Sequence, residues 1–434
     1  MRTYFLIFMV FLPSAWSELG PESSLTNKPI DFHSTILVPQ PAIPTVIIPK
    51  AVPVNVPSGM DTAPQPTRPP ASSNSPFRVK PGPIPPTAHD LASRTVKIVA
   101  PPLPNPVTTP ATIPVEPPPA ALATTKPLPP ILRPTLFDTP EADAILAAMQ
   151  IFPTNNVWHA DVRHWPVHPN SPNILTAVGS ARRLDFNLDM GFVIVPKDAS
   201  RVSIHIAPYD AESDLGPYPL PENVPIEGWP ALFKRIRRYR ELTLDDVQRD
   251  VLNQGGDRHA IVVDPTAQKL YEFFSIRKTL QGWQAAQASI FDLSSNALRP
   301  DGWTSADAAG LPIFPAVVRY DELVRGEIDH ALRVTVPRTR KAYVAPATHY
   351  ASSLTDVNLP RMGERFRLRA NYDLSKFSPE VQTILNALKK HGAFVADNGA
   401  IFAISITPDE RMPNVLDELN RVTVADFEIV TAPE

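Results

Sequence analysis

Apolar and polar positions alternate in short runs along the C-terminal two thirds of the chain. Runs at 191–195, 201–206, 259–264, 269–275, 283–292, 331–336, 341–344, 365–370, 394–396, 401–406 and 426–430 carry period-two alternation or β-branched stretches. Most are bounded by Pro, Gly, Asn or Asp, the punctuation of strands. Helical spacing is rarer. Asp138-Thr139-Pro140 supplies a cap and a first-turn proline for a helix over 141–150, with Ile145, Leu146 and Met149 on one face. Further helices are predicted at 171–183, at 378–391 behind Ser378-Pro379, and at 413–421. Many short strands with few helices predict a mainly β domain, an antiparallel, jelly-roll-like β-sandwich with helical insertions. One insertion stands out at 230–253. Lys234, Arg235, Arg237, Arg238 and Arg240 precede Glu241, Asp245, Asp246 and Asp250, which predicts a salt-bridged helical pair facing solvent.

Composition divides the 434 residues further. Of 54 prolines, 31 fall between Glu18 and Pro140, with few Gly or aromatic residues between them. Proline at that density forbids helix and central strand, so 18–140 is expected to be a disordered or polyproline-like stalk. Extended, such a spacer reaches on the order of 100–300 Å. Residues 141–434 remain for a β-rich globular domain. At the start, Arg2 precedes the apolar run Tyr4 to Leu12, and Ala15-Trp16-Ser17 places small residues before a cleavage point. That is the layout of a secretory signal peptide over 1–17. It implies a secreted or cell-surface location with no transmembrane segment after cleavage. The chain has no cysteine, which excludes disulfides, thiolate metal sites and cysteine nucleophiles. A formal charge of −3 gives no basic field for nucleic acid.

Candidate chemistry concentrates in Asp301 to Val336. Asp307, Asp321, Glu322, Glu327, His330 and Arg333 sit there among apolar and small residues, where charges are costly unless paired or used. Asp321, Glu322, Glu327 and His330 are the candidate catalytic residues. Two carboxyl groups, one protonated and one ionised, cleave a glycosidic bond by hydrolysis. A histidine base with an arginine to hold a uronate would cleave an acidic glycan by elimination. Arg333 and Asp307 are candidate ligand-binding residues. So are Asp257 and His259 in Gly256-Asp257-Arg258-His259 at a strand mouth, His349 on a loop, and Asp397 and Asn398 in Ala396-Asp397-Asn398-Gly399. Asp-Asn-Gly also predicts a tight hairpin turn. His159, His164 and His168 fit no helix face, so no metal is assigned and no cofactor is expected. The G-x-S-x-G elbow, H-E-x-x-H helix, P-loop and G-x-G-x-x-G motifs are absent from the sequence.

The span from Ile151 to Val430 resembles a family of secreted bacterial proteins of uncharacterised activity. The motifs that carry the resemblance include Phe152-Pro153-x-Asn155-x-x-Trp158, Ser213-Asp214-x-Gly216-Pro217-Tyr218-Pro219, Gly256-Asp257-Arg258-His259, Gly302 to Pro312 (GWTSADAAGLP), Arg319-Tyr320-Asp321-Glu322, Gly326-Glu327-Ile328-x-His330-Ala331-Leu332-Arg333 and Ala396-Asp397-Asn398-Gly399. The resemblance implies an exported protein that meets polysaccharide, and it assigns no catalytic residue. The Arg-rich insertion and Leu184-Asp185-Phe186 depart from the pattern. The expectation is therefore a monomeric, secreted protein acting on polysaccharide or cell-wall glycan, a glycoside hydrolase or polysaccharide lyase. A non-catalytic carbohydrate-binding or structural surface module is the alternative.

Overall fold

The computed structural model describes residues 127–433. The signal peptide and nearly all of the proline-rich stretch lie outside the described residues. In chain order the elements are β1 (Thr135–Leu136), α1 (Pro140–Leu146), α2 (Ser171–Val178), β2 (Asp185–Leu188), β3 (Val193–Ile194), β4 (Ile204–Ile206), α3 (Ala231–Arg235), α4 (Leu244–Arg249), β5 (Ala260–Asp264), β6 (Lys269–Phe274), β7 (Arg277–Thr279), β8 (Gly282–Ala285), β9 (Gln287–Asp292), α5 (Tyr320–Arg325), β10 (Leu332–Val336), β11 (Arg365–Leu368), α6 (Pro379–Lys390), β12 (Ala393–Asn398), β13 (Ala403–Ile406) and β14 (Phe427–Val430), joined by loops and short 3-10 turns.

These strands form three sheets, ordered β1-β3-β5-β6-β9, β14-β11-β12-β10-β13-β2 and β4-β8-β7. The expectation of antiparallel pairing needs correction: β10 with β12, β13 with β2, β3 with β5 and β4 with β8 all pair in parallel, so each sheet is mixed. The packing follows from alternation. Along β5, Ile261 and Val263 enter a core shared with the six-stranded sheet, while Ala260 and Val262 face a second core beneath the three-stranded sheet. The five-stranded sheet is thus the middle layer, buried on both faces. On the six-stranded sheet, α6 lays down Val381, Ile384, Leu385 and Leu388, the i, i+3, i+4, i+7 stripe of an amphipathic helix.

Several local expectations are revised. The packed chain starts before Glu141, since β1 pairs with β3 and Phe137 is buried. The run 283–292 breaks at Ala286 into β8 and β9, which belong to different sheets. Residues 341–344 supply only an isolated bridge, Tyr343 to Met362. Asp397-Asn398-Gly399 is not a hairpin turn, because β10 lies between β12 and β13. The insertion does hold surface ion pairs, Arg249–Asp245 at 2.6 Å and Lys234–Glu410 at 2.6 Å. It is not only a solvated pair, however, because Leu232, Phe233, Leu242 and Val247 turn inward to roof a cavity. Among the described residues no helix is long and apolar enough to cross a membrane.

Candidate functional site

A cavity of about 750 Å³ opens where the middle sheet meets the six-stranded sheet. Its polar floor includes Asp189, Glu227, Asp257, His259, Arg333 and Asp397, and the insertion forms its apolar roof. Asp397 reaches this floor through a bulge. Val334 pairs with Val395, but Thr335 pairs with Asp397, so Ala396 is an extra residue in β12. Paired residues of parallel strands point to the same face. Without the bulge Asp397 would sit opposite Val336 and point away; with it, Asp397 joins Arg333 and Thr335 on the cavity side.

The GWTSADAAGLP segment docks on that bulge, Ala309 N–H donating to the Ala396 carbonyl at 3.0 Å. Three consecutive residues then each fix one cavity group. The Ala306 carbonyl accepts from His259 Nε2 at 2.9 Å. Asp307 takes Arg333 in a fork, Nε to Oδ2 at 3.0 Å and Nη2 to Oδ1 at 2.8 Å. The Ala308 carbonyl accepts from His349 Nδ1 at 2.9 Å. The bend after them requires glycine: Gly310 has φ +74°, and a Cβ there would lie 2.1 Å from Thr348 Oγ1.

His259 is held from both sides. Its Nδ1 donates to Glu227 Oε2 at 3.1 Å, and its other nitrogen meets a carbonyl that can only accept, so the ring carries both protons. Burial pushes the imidazole down, but the Glu227 carboxylate outweighs it and raises the pKa to about 10. Burial likewise pushes Glu227 up, and His259 reverses this and keeps it ionised, below the ordinary value. The Glu227 side chain is 28% exposed against 5% for His259, so it is the carboxylate that faces the open space. Arg258, between Asp257 and His259, adopts φ +48°, a strained conformation for a branched-free but bulky side chain. Its guanidinium donates to the Ile276, Val247 and Gln248 carbonyls, the last two from the final turn of α4. It thereby satisfies helix-end acceptors and ties the roof to the floor.

The remaining carboxyls lack such cations. Burial raises Asp397 to about 7, with Asp307 adding repulsion against the pull of Arg333. Burial raises Asp189 to about 8, again opposed by Arg333. Asp257 is raised by the surrounding protein and by Glu227, although its surface is exposed to the cavity space. Asp189 Oδ2 accepts from Ser405 Oγ at 3.2 Å, while its buried Oδ1 has no partner. Outside the cavity, the fully buried Glu272 is raised to about 7 despite accepting the Ile313 and Phe314 N–H groups. Carboxyls raised in this way bind protons more tightly folded than unfolded. Stability is therefore fully present below their unfolded values and is lost as pH rises toward about 7 to 8. The raised His259 adds a loss that runs from its unfolded value up to about 10. Asp161 and Asp292, lowered to about 2, act in the opposite sense and lose stability only in strong acid. The melting temperature is accordingly expected to peak at about pH 4 and fall by several degrees toward pH 9; a flat or rising profile in a calorimetric series would contradict this electrostatic reading.

Of the residues singled out from the sequence, Arg333, Asp257, His259, His349, Asp397 and Asn398 line the cavity, and Asp307 holds Arg333 from behind. Asp321, Glu322, Glu327 and His330 do not line it. Glu322 is buried against His330 Nε2 at 2.8 Å and in contact with Arg319, and the other His330 nitrogen lies 2.9 Å from the Ala331 carbonyl. Burial raises Glu322, but Arg319 and His330 outweigh it and hold it below its ordinary value. Asp321 lies between Arg319 and Arg325, at 3.5 and 3.3 Å. Glu327 is on the surface, 63% exposed and 3.9 Å from Lys390. Asp321 and Glu327 therefore do not converge in a common cleft. Sequence reasoning missed Asp189 and Glu227, each a lone carboxylate in an apolar run (Phe186-Asn187-Leu188-Asp189-Met190 and Val224-Pro225-Ile226-Glu227).

The histidine series 159, 164, 168 does not converge: both His159 ring nitrogens lie against main-chain carbonyls, and His164 is exposed. Among the described residues no cluster of three His, Asp or Glu side chains is arranged to hold a metal. Trp158 is in the core against Phe394. A row of near-parallel rings does lead outward from the cavity. His349 and Tyr350 are 5.6 Å apart at 1°, and Tyr350 and Tyr343 are 6.3 Å apart at 17°.

Comparison with known proteins finds no matching family model, no matching curated protein and no matching solved structure.

Proposed function

We propose that this chain is an exported glycan hydrolase whose active site is the cavity floor. Asp397 is the proton donor and Glu227 the ionised carboxylate. The observation that carries the reading is the opposite tuning of two carboxyls facing one cavity. Asp397 is raised to about 7, so it holds a proton near neutral pH, and Glu227 is kept ionised by His259. Glycosidic hydrolysis needs one carboxyl of each kind. His259 serves here as a fixed cation, since neither ring nitrogen is free to take a proton. The rings of His349, Tyr350 and Tyr343 give sugar faces a surface to lie against beside the cavity. Export rests on the signal-peptide layout of residues 1–17, and the proline-rich stretch fits a stalk.

One observation favours elimination instead. The Ala308 carbonyl fixes the His349 proton on Nδ1, and Nε2 has no hydrogen-bond partner among the described residues, so that nitrogen is able to act as a base. Against it, Arg333 is engaged by Asp307 and Ser405 and has no fork left for a uronate.

The test is an assay of the purified full chain on neutral, amine-bearing and acidic polysaccharides, reading new reducing ends and unsaturated products separately. Reducing ends without unsaturation are expected. Unsaturated products would transfer the reading to elimination, and no product on any substrate would remove the catalytic reading in favour of binding alone. Glu327→Gln is expected to match the parent, because this carboxylate is on the surface beside Lys390. A large loss in that variant would return the active site to the α5–β10 segment.

A further inference from the structure

The charges that line the cavity are unevenly matched. Its cations are engaged by the protein. Arg333 gives Nε and Nη2 to Asp307 and Nη1 to Ser405 Oγ at 2.5 Å. Arg258 gives its donors to three carbonyls and lies 3.7 Å from Asp250. His259 uses both nitrogens, and Arg235 near the mouth is not free either. Apart from Glu227, which pairs with His259, the floor carboxyls are not matched in return. Among the described residues Asp257 and Asp397 have no ion pair with any side chain, and the only hydrogen bond to the Asp397 carboxyl comes from the Asn398 N–H at 2.6 Å. Asp189 is only 7% exposed, and its Oδ1 has no donor at all.

Such a floor is rich in carboxyl oxygens and short of unengaged cations. A uronate entering it would find no free arginine to receive it. An N-acetyl group would bring one N–H donor beside a carbonyl acceptor, and no charge. A sugar hydroxyl would supply a single donor. An ammonium group supplies three donors, and its charge lets a carboxyl that burial holds protonated ionise against it. Resting on the hydrolase reading for what happens next, we propose that the sugar unit bound here carries a free, protonated amine, which docks against Asp189 and Asp257, beside the proton donor Asp397. The substrate class is then a glycan with unacetylated 2-amino groups.

Isothermal titration of the full chain in mildly acidic, low-salt buffer tests this with three probes of equal length: a β-1,4-glucosamine oligomer, its fully N-acetylated counterpart, and an oligogalacturonate. The glucosamine oligomer is expected to bind at least about tenfold more tightly than either of the others, and added salt should erode that preference. Asp189→Asn and, separately, Asp257→Asn should each reduce the preference several-fold. The salt series on the parent protein gives the same discrimination if either variant fails to fold. Equal or tighter binding of the N-acetylated or acidic probe, or binding of none of the three, overturns the proposal. Reducing ends measured in parallel keep the two readings apart. Cleavage of neutral or N-acetylated glycan with no amine preference removes this inference and leaves the hydrolase. Amine-dependent binding without new reducing ends removes the hydrolase and leaves this inference.

Discussion

Asp397→Asn is expected to reduce glycan cleavage by about 10²–10⁴-fold, the usual contribution of a positioned general acid, while leaving the protein at least as stable as the parent. Asparagine keeps the shape and accepts the same N–H from Asn398, but it has no acidic proton to give a leaving oxygen. The stability expectation has a separate cause. Burial and the neighbouring Asp307 raise the Asp397 carboxyl to about 7, so above that pH the native state carries an unfavourable charge that the amide lacks. The measurement is kcat across pH together with thermal melts. In the parent, activity should fall on the alkaline side as Asp397 loses its proton, and the residual activity of the variant should lack that limb. A variant with full activity, or one whose activity loss is matched by a collapse in melting temperature, would defeat the assignment.

Asp307→Ala is expected to cost about 3–5 kcal/mol of folding stability, the range seen when one partner of a buried ion pair is removed. Arg333 is 3% exposed and Asp307 fully buried, and two of the guanidinium's bonds end on this one carboxylate. Burial disfavours the Arg333 charge, and Asp307 is the largest influence that restores it. Removing the carboxylate strands a charge that is only 3% exposed. Denaturant unfolding of parent and variant reads the loss directly. The paired replacement Asp307→Leu with Arg333→Met should recover much of it, because the desolvation penalty of both ions disappears together. A paired variant no more stable than the single one would mean that the cost comes from the loop and not from the stranded cation.

Much of the strand inventory was legible because burial on one face writes a period of two into the chain. Strand β5 was legible for the opposite reason: Ala260 to Val263 is an unbroken apolar run, as suits a strand buried on both faces. Parallel pairing was not legible, since alternation reports which face a residue takes and not which strand lies beside it. The same limit explains the site. Asp257, His259, His349 and Asp397 were each recognisable as charged or polar groups at strand ends or bends, and Arg333 as a charge within a strand, and they meet in the cavity. Asp321, Glu322 and His330 looked similar, yet α5 turns the two carboxylates toward Arg319, and the residues just before β10 turn His330 onto Glu322. Closeness in sequence does not say which side of a strand faces the cleft. Asp397 depended on a single-residue bulge that no propensity predicts. Asp189 and Glu227 come from distant stretches, and what gives them meaning is His259 and Ser405, which sequence spacing does not connect to them.

The way residues 306 to 308 hold the cavity has a consequence for which changes the segment tolerates. His259 and His349 are held by the main-chain carbonyls of Ala306 and Ala308, and every amino acid supplies that acceptor. Side-chain identity at those two positions is therefore limited by available space and not by chemistry, whereas Asp307 between them is fixed by its carboxylate. Length is a different matter. Adding or deleting one residue would shift both carbonyls and the carboxylate out of register with three separate partners at once. The segment behaves as a ruler whose spacing carries more information than most of its letters.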